Sequence, residues 1–327
     1  MRAAVAAAAS VRHSTSPNPW VGAVVVADGS VVGTGATSPP GGPHAEIHAL
    51  AEAGDAARGA TLYVTLEPCD HRGRTGPCTE AILGAGIVRA VVGVADPDPE
   101  VVGRGLARLR EGGVEVVEGI AAADVAEQLA AYLHQRRTGR PYVVLKLAST
   151  LDGRIAAPDG SSTWITGPEA RADAHRLRAE SDAVCVGAGT VRSDDPALTI
   201  RDWSPPGGGP AEDPRRIVLG PVPEGARVQP AESHEGPLED LLGRLGGEGV
   251  LQLLVEGGAD VAGRFHRAGL VDRYVVYVAP ALLGGDDGRP LLAGPGAPTM
   301  VELRRGRFAS VVALGDDLRL DLVLEGS

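Results

Sequence analysis

At 327 residues the chain is long enough for two domains of ordinary size, each with its own core. Its net charge of −11 and an aromatic content of 3% exclude a nucleic-acid partner gripped by a basic face or a stacking platform. No run of eighteen apolar residues occurs, which excludes a helical membrane span, and three cysteines fit a reducing, cytoplasmic setting better than a disulfide framework.

Residues 2–12 read as an alanine-rich helix rather than a leader, because no distinct cleavage region follows the apolar part. The turn S-P-N-P comes next, then a buried strand at 21–26 and a hairpin partner at 31–35 around Asp28-Gly29. Asn18 is the only asparagine in the chain. Between two prolines it is either a turn residue or an amide presented to a pyrimidine edge.

Pro43 precedes a helix at 44–53 that begins H-A-E-I-H-A-L. A strand at 62–66 then delivers E-P-C, and D-H-R-G-R-T-G-P-C leads to Cys78, which opens a helix at 78–85. His44, Cys69 and Cys78 offer one imidazole and two thiolates, which is three ligands of a tetrahedral zinc with the fourth position left to water. Zinc lowers the pKa of that water toward neutrality, and Glu46 is placed to move its protons. H-x-E with proline-preceded cysteines is the pattern of zinc base deaminases, where two residues separate the cysteines. Here eight do, so 70–77 must loop out to return Cys78 to the metal. A closed structural zinc site is the alternative, but it needs a fourth ligand, Cys185 is remote, and Glu46 would have no role. His48, one turn after His44, reads as a packed helix residue. His71, Arg72 and Arg74 form a basic patch suited to the phosphate or ribose of a nucleotide-like substrate.

A strand at 89–95, the turn D-P-D-P, a helix at 103–112, a strand at 114–118 and a helix at 122–137 complete an α/β run, which predicts a sheet covered by helices. The polar R-R-T-G-R-P at 136–141 marks a boundary, giving domains 1–140 and 141–327. From Tyr142 the pattern restarts with Y-V-V-L-K-L-A, a central strand containing Lys146, the only lysine of the chain. Arginine replaces lysine on solvated surfaces but not where a compact, titratable amine is needed, so Lys146 is expected to face a cleft or a partner. A helix at 168–180, a strand at 183–187 ending in G-A-G-T, and S-D-D-P with Asp194 and Asp195 follow. After a strand at 215–219, within a Pro/Gly-rich stretch at 204–237 read as surface loop, 250–255 runs into E-G-G-A-D and a helix at 260–268. Both strand-to-glycine turns would let backbone amides approach a phosphate. Strands at 272–279 and a hairpin at 307–324 close the domain.

The motifs P-N-P-x-V-G, H-A-E-x-H-A-L, T-L-E-P-C-x-H-x-G-R-T-x-P-C and D-P-x-P resemble the deaminase half of the bifunctional riboflavin-biosynthesis deaminase/reductase family. L-K-x-A-x-S/T-L-D-G-R, W-I-T, R-A-x-S-D-A, G-x-x-T-V-x-x-D-D-P-x-L-T and V-E-G-G resemble its reductase half, and the wide cysteine spacing is itself typical of that family. The resemblance implies a cytidine-deaminase-like three-layer αβα sandwich followed by a dihydrofolate-reductase-like α/β domain. The first would deaminate a diamino-ribosylamino-pyrimidinone 5′-phosphate, and the second would reduce the ribosyl group of the product to ribityl with NADPH. It further implies His44, Cys69 and Cys78 as zinc ligands and Glu46 as proton carrier. Ala148, Trp164, Thr190, Asp194 and the segment Gly258, Ala259, Asp260, Val261, Ala262, Gly263 and Arg264 resemble NADPH contacts. Ser162, Arg178, Leu198, Arg201 and Glu256 resemble substrate contacts, to which Asn18, His71 and Arg74 are added in the deaminase half.

Lys146 with Asp194 or Glu256 is a reasonable set for the proton transfers of sugar reduction, and Arg178 and Arg201 suit a phosphate through bidentate contact. Strand 215–219 ends L-G-P where the family has L-D-S, so no cofactor contact is assigned there. The competing readings are a nucleic-acid or free-base deaminase with an unrelated second domain, and an active deaminase whose reductase-like half is non-catalytic or differently specific. The apolar first helix and the resemblance point to self-association.

Overall fold

The computed structural model describes residues 1–71, 76–99, 101–206 and 211–325. Among these the chain divides into two compact units, one over Met1–Gly139 and the other from Arg140 onward, apart from Pro205 and Pro206.

Unit 1 runs α1 (Arg2–Ala9), β1 (Gly22–Ala27), β2 (Ser30–Ala36), α2 (Ala45–Ala53), β3 (Thr61–Leu66), α3 (Cys78–Gly84), β4 (Arg89–Val94), α4 (Arg104–Glu111), β5 (Glu115–Glu118), α5 (Ala122–Gln128) and α6 (Ala130–Thr138). Its sheet has the order β2-β1-β3-β4-β5. β1 is antiparallel to β2 and β3, and β3, β4 and β5 are parallel. Asp28 and Gly29, at φ 49° and 77°, make the β1–β2 turn, the left-handed pair that a two-residue hairpin requires.

Small residues let the helices approach. A Cβ on Gly22 of β1 would fall 1.9 Å from the Ala4 carbonyl oxygen, whereas one on Gly35 of β2 would fall 2.1 Å from that of Ala45. Gly35 pairs with Ala23, the neighbour of Gly22, so α1 and α2 lie on opposite faces and the unit is a three-layer αβα arrangement. Ala4 and Ala8 of α1 are wholly buried within the unit, and Ala3, Ala6 and Ala9 are exposed. The expected helix at 122–137 is two helices. The Gln128 carbonyl accepts the Trp20 indole N–H at 3.0 Å, and the chain breaks at the buried Leu129.

Unit 2 runs β6 (Tyr142–Thr150), β7 (Arg154–Ala156), α7 (Pro168–Ala179), β8 (Ala183–Gly187), α8 (Ala188–Asp194), β9 (Arg215–Leu219), β10 (Glu232–His234), α9 (Leu238–Gly247), β11 (Gln252–Val255), α10 (Ala259–Ala268), β12 (Arg273–Ala279), β13 (Arg289–Pro290), β14 (Gly306–Leu314) and β15 (Asp317–Leu324). The main sheet has the order β10-β9-β8-β11-β6-β12-β15-β14, parallel as far as β12 and closed by the antiparallel hairpin. Lys146 lies on β6, which has neighbours on both sides. The sequence reading missed α8 and α9. In α9, Leu238, Leu241, Leu242 and Leu245 recur at helical spacing and enter the core beside Phe265, so the signal was present despite the surrounding glycines.

We expect Gly22→Ala to destabilise the protein by about 1–3 kcal/mol, since the added methyl meets helix backbone that cannot rotate aside. Denaturant unfolding should show a lower midpoint, and an unchanged midpoint would mean that α1 can shift freely on the sheet.

Candidate functional site

In unit 1, His44 is the N-cap of α2 and Glu46 falls in its first turn. β3 hands on Glu67-Pro68-Cys69, and Cys78 is the first residue of α3. These points converge: the Cys69 and Cys78 sulfurs lie 3.5 and 3.3 Å from His44 Nδ1, and the three donor atoms lie within 4.8 Å of one another. The Thr79 N–H donates to the Cys69 carbonyl at 3.3 Å and the Thr79 hydroxyl to Asp70 Oδ1 at 2.5 Å, tying together the two ends of the excursion between the cysteines. One imidazole nitrogen and two sulfurs in this cluster fit zinc. A hydrogen bond from Cys78 holds the Cys69 pKa well below the ordinary thiol range, and the same bond and burial push the Cys78 thiol up. Metal binding needs both as thiolates and displaces that shared proton. Glu46 is 3% exposed, and burial raises its pKa to about 7, where a carboxyl can both give and take a proton.

A cavity of about 210 Å³ opens over the cluster, with Asn18, His44, Glu46, Cys69 and His71 in its walls. Arg72 and Arg74 lie outside the described residues. His48 belongs to neither cluster nor cavity; it is exposed and bonds Ser38 through Nε2 at 2.7 Å, which corrects its reading as a packed residue. Asp96, Asp98, Tyr132 and Arg136 also line the cavity, and the sequence reading missed them. The buried Asp96 accepts the Tyr132 hydroxyl at 3.0 Å, and Arg136 Nε lies 3.4 Å from Asp98. The available signal was D-P-D-P itself, two acids immediately beyond a strand end.

Glu67 is buried and also lines the cavity, but its carboxylate is taken up by backbone N–H groups. Its Oε1 accepts the Gly105 and Leu106 N–H groups at 3.1 and 3.3 Å, and Oε2 those of Gly103 and Asp96 at 3.1 and 3.3 Å. It satisfies the start of α4 from a distance and locks the E-P-C turn to that helix. A Cβ on Gly105 would fall 1.8 Å from the Pro68 carbonyl oxygen, so only glycine permits this contact.

In unit 2 a cavity of about 1300 Å³ lies at the carboxyl ends of the parallel strands, where ligands of such sheets bind. Lys146 and Glu256 face it, along with Ser162, Arg178, Leu198 and Arg201. Ala148, Trp164, Thr190, Asp194, Gly258, Ala259, Asp260 and Val261 line it too. Ala262, Gly263 and Arg264 do not: α10 starts at Ala259, and these three lie along its body, where Gly263 passes close to the Ala293 carbonyl. Leu219, Gly220 and Pro221, the departure from L-D-S, form part of the wall, with Gly220 at φ 104°, a conformation natural to glycine.

The parallel register pairs Val255 with Leu145, which sets Glu256 beside Lys146, Oε2 to Nζ 3.9 Å. Of the two acids named for Lys146, Glu256 is thus its neighbour, whereas Asp194 is an exposed residue at the end of α8. Burial lowers the Lys146 pKa and Glu256 opposes that shift. Arg178 donates to Glu256 from Nε at 2.5 Å and from a terminal nitrogen at 2.9 Å, and its other terminal nitrogen donates to the Thr199 carbonyl at 3.1 Å. Arg178 therefore serves Glu256, which corrects its reading as a grip for phosphate. Burial works against the ionised Glu256, but Arg178 and Lys146 outweigh it and hold its pKa below the ordinary value. The Arg201 guanidinium lines the cavity and makes no ion pair with a described residue.

Comparisons with known proteins agree with both sites. Residues 1–94 match the cytidine and deoxycytidylate deaminase zinc-binding region, and residues 141–320 match the RibD C-terminal domain. The riboflavin biosynthesis protein RibD of Escherichia coli is 40% identical over 95% of either chain, and that of Mycobacterium tuberculosis is 44% identical over 96% of this chain and 93% of its own. The chain belongs to the RibD family. Among solved RibD structures, one from Acinetobacter baumannii superposes with a TM-score of 0.91 at 38% identity, covering 99% of this chain and 97% of that one. A diaminohydroxyphosphoribosylaminopyrimidine deaminase/5-amino-6-(5-phosphoribosylamino)uracil reductase from Thermotoga maritima superposes at 0.87 and 33% identity, with the same coverage. The zinc-binding match spans all three sulfur and imidazole donors, and the RibD C-terminal match spans the whole wall of the larger cavity.

Glu67→Ala should strand four backbone N–H groups and cost about 2–4 kcal/mol. Because Cys69 is two residues away, zinc should also be lost at a lower chelator concentration than from the unaltered protein. Unchanged stability and zinc retention would show that the E-P-C turn does not depend on this carboxylate.

Proposed function

We propose that the two reactions of the RibD family are divided between the two cavities, deamination in unit 1 and reduction in unit 2. The observation that carries this reading is that each cavity is lined within a single unit and holds its own set of proton-carrying side chains. The chain is a bifunctional deaminase and reductase of riboflavin biosynthesis whose substrate is a pyrimidine ribosyl phosphate.

In unit 1, His44, Cys69 and Cys78 would hold zinc, whose Lewis acidity makes water a nucleophile near neutral pH. Glu46 takes the proton of the attacking water and returns it to the departing amine, so that the diamino-pyrimidinone becomes an aminouracil and ammonia leaves. Its pKa of about 7 suits both directions of transfer. Asn18 and Asp96 offer an amide and a carboxylate to the polar edges of the ring, and His71 with Arg74 serves the ribosyl phosphate.

In unit 2, NADPH supplies the reducing equivalents. A cavity of about 1300 Å³ exceeds what one drug-sized ligand fills, leaving room for a dinucleotide beside the pyrimidine. Gly258–Val261, Thr190, Ala148, Trp164 and Asp194 would hold the cofactor, with the Thr190 hydroxyl accepting the Gly258 N–H at 3.3 Å to join the two glycine turns. Lys146 gives up a proton as the sugar ring opens, and Glu256 keeps the amine charged until then. Arg201 faces the phosphate, with Ser162 and Leu198 beside the pyrimidine. A cytoplasmic enzyme without a nucleic-acid partner belongs to the same reading, supported by the net charge of −11 and by thiolate ligands that need a reducing setting.

A coupled assay tests this. The protein is given the diamino-pyrimidinone ribosyl phosphate, and ammonia release is followed with and without NADPH on a sample of known zinc content. Ammonia without NADPH, NADPH oxidation once it is added, and about one zinc per chain are expected. Glu46→Gln should lower ammonia release by about 10²–10⁴-fold yet still reduce aminouracil substrate supplied directly. Full ammonia release by that variant would remove Glu46 from the mechanism.

A further inference from the structure

One buried residue beside the reductase cavity has been given no role. His175, on α7, is 7% exposed, and its Nδ1 meets three groups, one on its own helix and two on residues 199–201. The Arg201 N–H lies 3.1 Å away, an Arg178 terminal nitrogen 3.2 Å and the Thr199 carbonyl oxygen 3.1 Å. The first two can only donate, so Nδ1 is the acceptor and the ring is neutral with its proton on Nε2. The Thr199 carbonyl takes its hydrogen bond from Arg178 instead.

These contacts form part of a pattern. Residues 199–201 have no helix or strand to satisfy their backbone, yet one backbone polar group of each residue is met by a side chain from elsewhere. Arg178 holds the Thr199 carbonyl, Asp213 Oδ1 holds the Ile200 N–H at 2.7 Å, and His175 holds the Arg201 N–H. The segment is flanked by two non-glycine residues in the left-handed region, Leu198 at φ 53° and Asp202 at φ 48°. Such residues persist only where the surroundings over-determine the backbone. Leu198 and Arg201, at the ends of the stapled run, both line the cavity.

We propose that His175 is a positioning residue of the reductase, whose neutral Nδ1 fixes the backbone of Arg201 and so places Leu198 and Arg201 for the phosphate-bearing substrate, and that protonating it releases them. This rests on the reading of the larger cavity as the reductase site. The charged groups facing the ring are Arg178 on its own helix, Arg201 and Asp202 on the stapled segment and Glu256 beyond β11, with Asp213 opposite Arg178. An imidazolium there would turn Nδ1 from acceptor to donor, so that it loses the Arg201 N–H and competes with Arg178 for the Thr199 carbonyl, and it would stand beside two guanidinium groups. Burial, then Arg178 and Arg201, hold the imidazole below its ordinary pKa of 6.5. His175 is therefore neutral at pH 7 and charges only as the pH falls.

Two substitutions separate positioning from mere packing. His175→Leu removes the acceptor. His175→Asn restores an acceptor in the place of Nδ1, one that does not titrate. At pH 7.5, His175→Leu should raise KM for the aminouracil ribosyl phosphate about tenfold, the size of one lost buried hydrogen bond, with kcat little changed, and His175→Asn should keep KM near that of the unaltered protein. On the acid side KM should climb for the unaltered protein and less for His175→Asn. Titration of the substrate phosphate is common to both and cancels in the comparison. An unchanged Kd for NADPH reports that unit 2 of each variant is folded. Limited trypsin digestion gives a readout independent of activity: cleavage after Arg201 should be faster in His175→Leu and unchanged in His175→Asn. Equal KM and equal cleavage in all three proteins would overturn the proposal, as would an acid limb in His175→Asn identical to that of the unaltered protein. If the unaltered protein oxidises no NADPH, the reductase reading fails, and the trypsin comparison still decides whether His175 orders the segment.

Discussion

Each unit is organised on a buried carboxylate standing one residue beyond the end of a strand, Glu67 after β3 and Glu256 after β11. An ionised carboxylate removed from water is costly unless donors converge on it, and the two units meet that demand differently. Glu67 is answered by four backbone N–H groups, three of them at the start of α4. Glu256 is answered by the Arg178 fork and by Lys146. The first arrangement is closed and structural. It fixes the turn from which Cys69 projects, and thus the spacing of the metal donors. The second leaves one cationic partner, Lys146, at a longer distance and facing the cavity, where it can exchange a proton.

That difference explains why the reactive groups stand where they do. In unit 1 the proposed proton carrier is Glu46, buried in the first turn of a helix with no arginine answering it among the described residues, and burial raises its pKa to about 7. In unit 2 the carboxylate is kept ionised and the amine above it is tuned by burial. Tyr277, whose ring lies 5.9 Å from Lys146 Nζ, is itself held by Asp173, which also binds Arg176 and Arg319, so the floor under the amine is rigid. Arg178 joins two tasks, since the side chain that neutralises Glu256 also staples Thr199.

Much of this was legible in the sequence where the governing interaction is local or the motif is dense. H-A-E and the two P-C dipeptides gave the donor set, and β-strand boundaries such as 183–187 and 215–219 agree with the structure. The lone Lys146 stood out because compositional bias had removed every other lysine. What escaped depended on partners far along the chain. Glu256 lies 78 residues from Arg178, and only the strand order brings them together, so Arg178 read as a phosphate grip. The break at Leu129 likewise depends on Trp20, 108 residues before the carbonyl it captures. α9 was missed for a different reason: its leucine stripe was clear, but the flanking glycines drew attention to loop. The reading of D-P-D-P as a turn was right about the backbone and silent about the side chains, of which Asp96 proved to be a cavity wall.

The central claim is that two complete sites lie in separate units of one chain. Glu46→Gln and Lys146→Met each disable one of them, so the most direct test is to mix the two purified variants, supply the diamino-pyrimidinone ribosyl phosphate and NADPH, and measure the ribityl product. The account predicts that neither variant alone forms it and that the mixture does, with the aminouracil accumulating when only Lys146→Met is present. A mixture that stays inactive while each variant retains its own partial reaction would contradict the independence of the two sites.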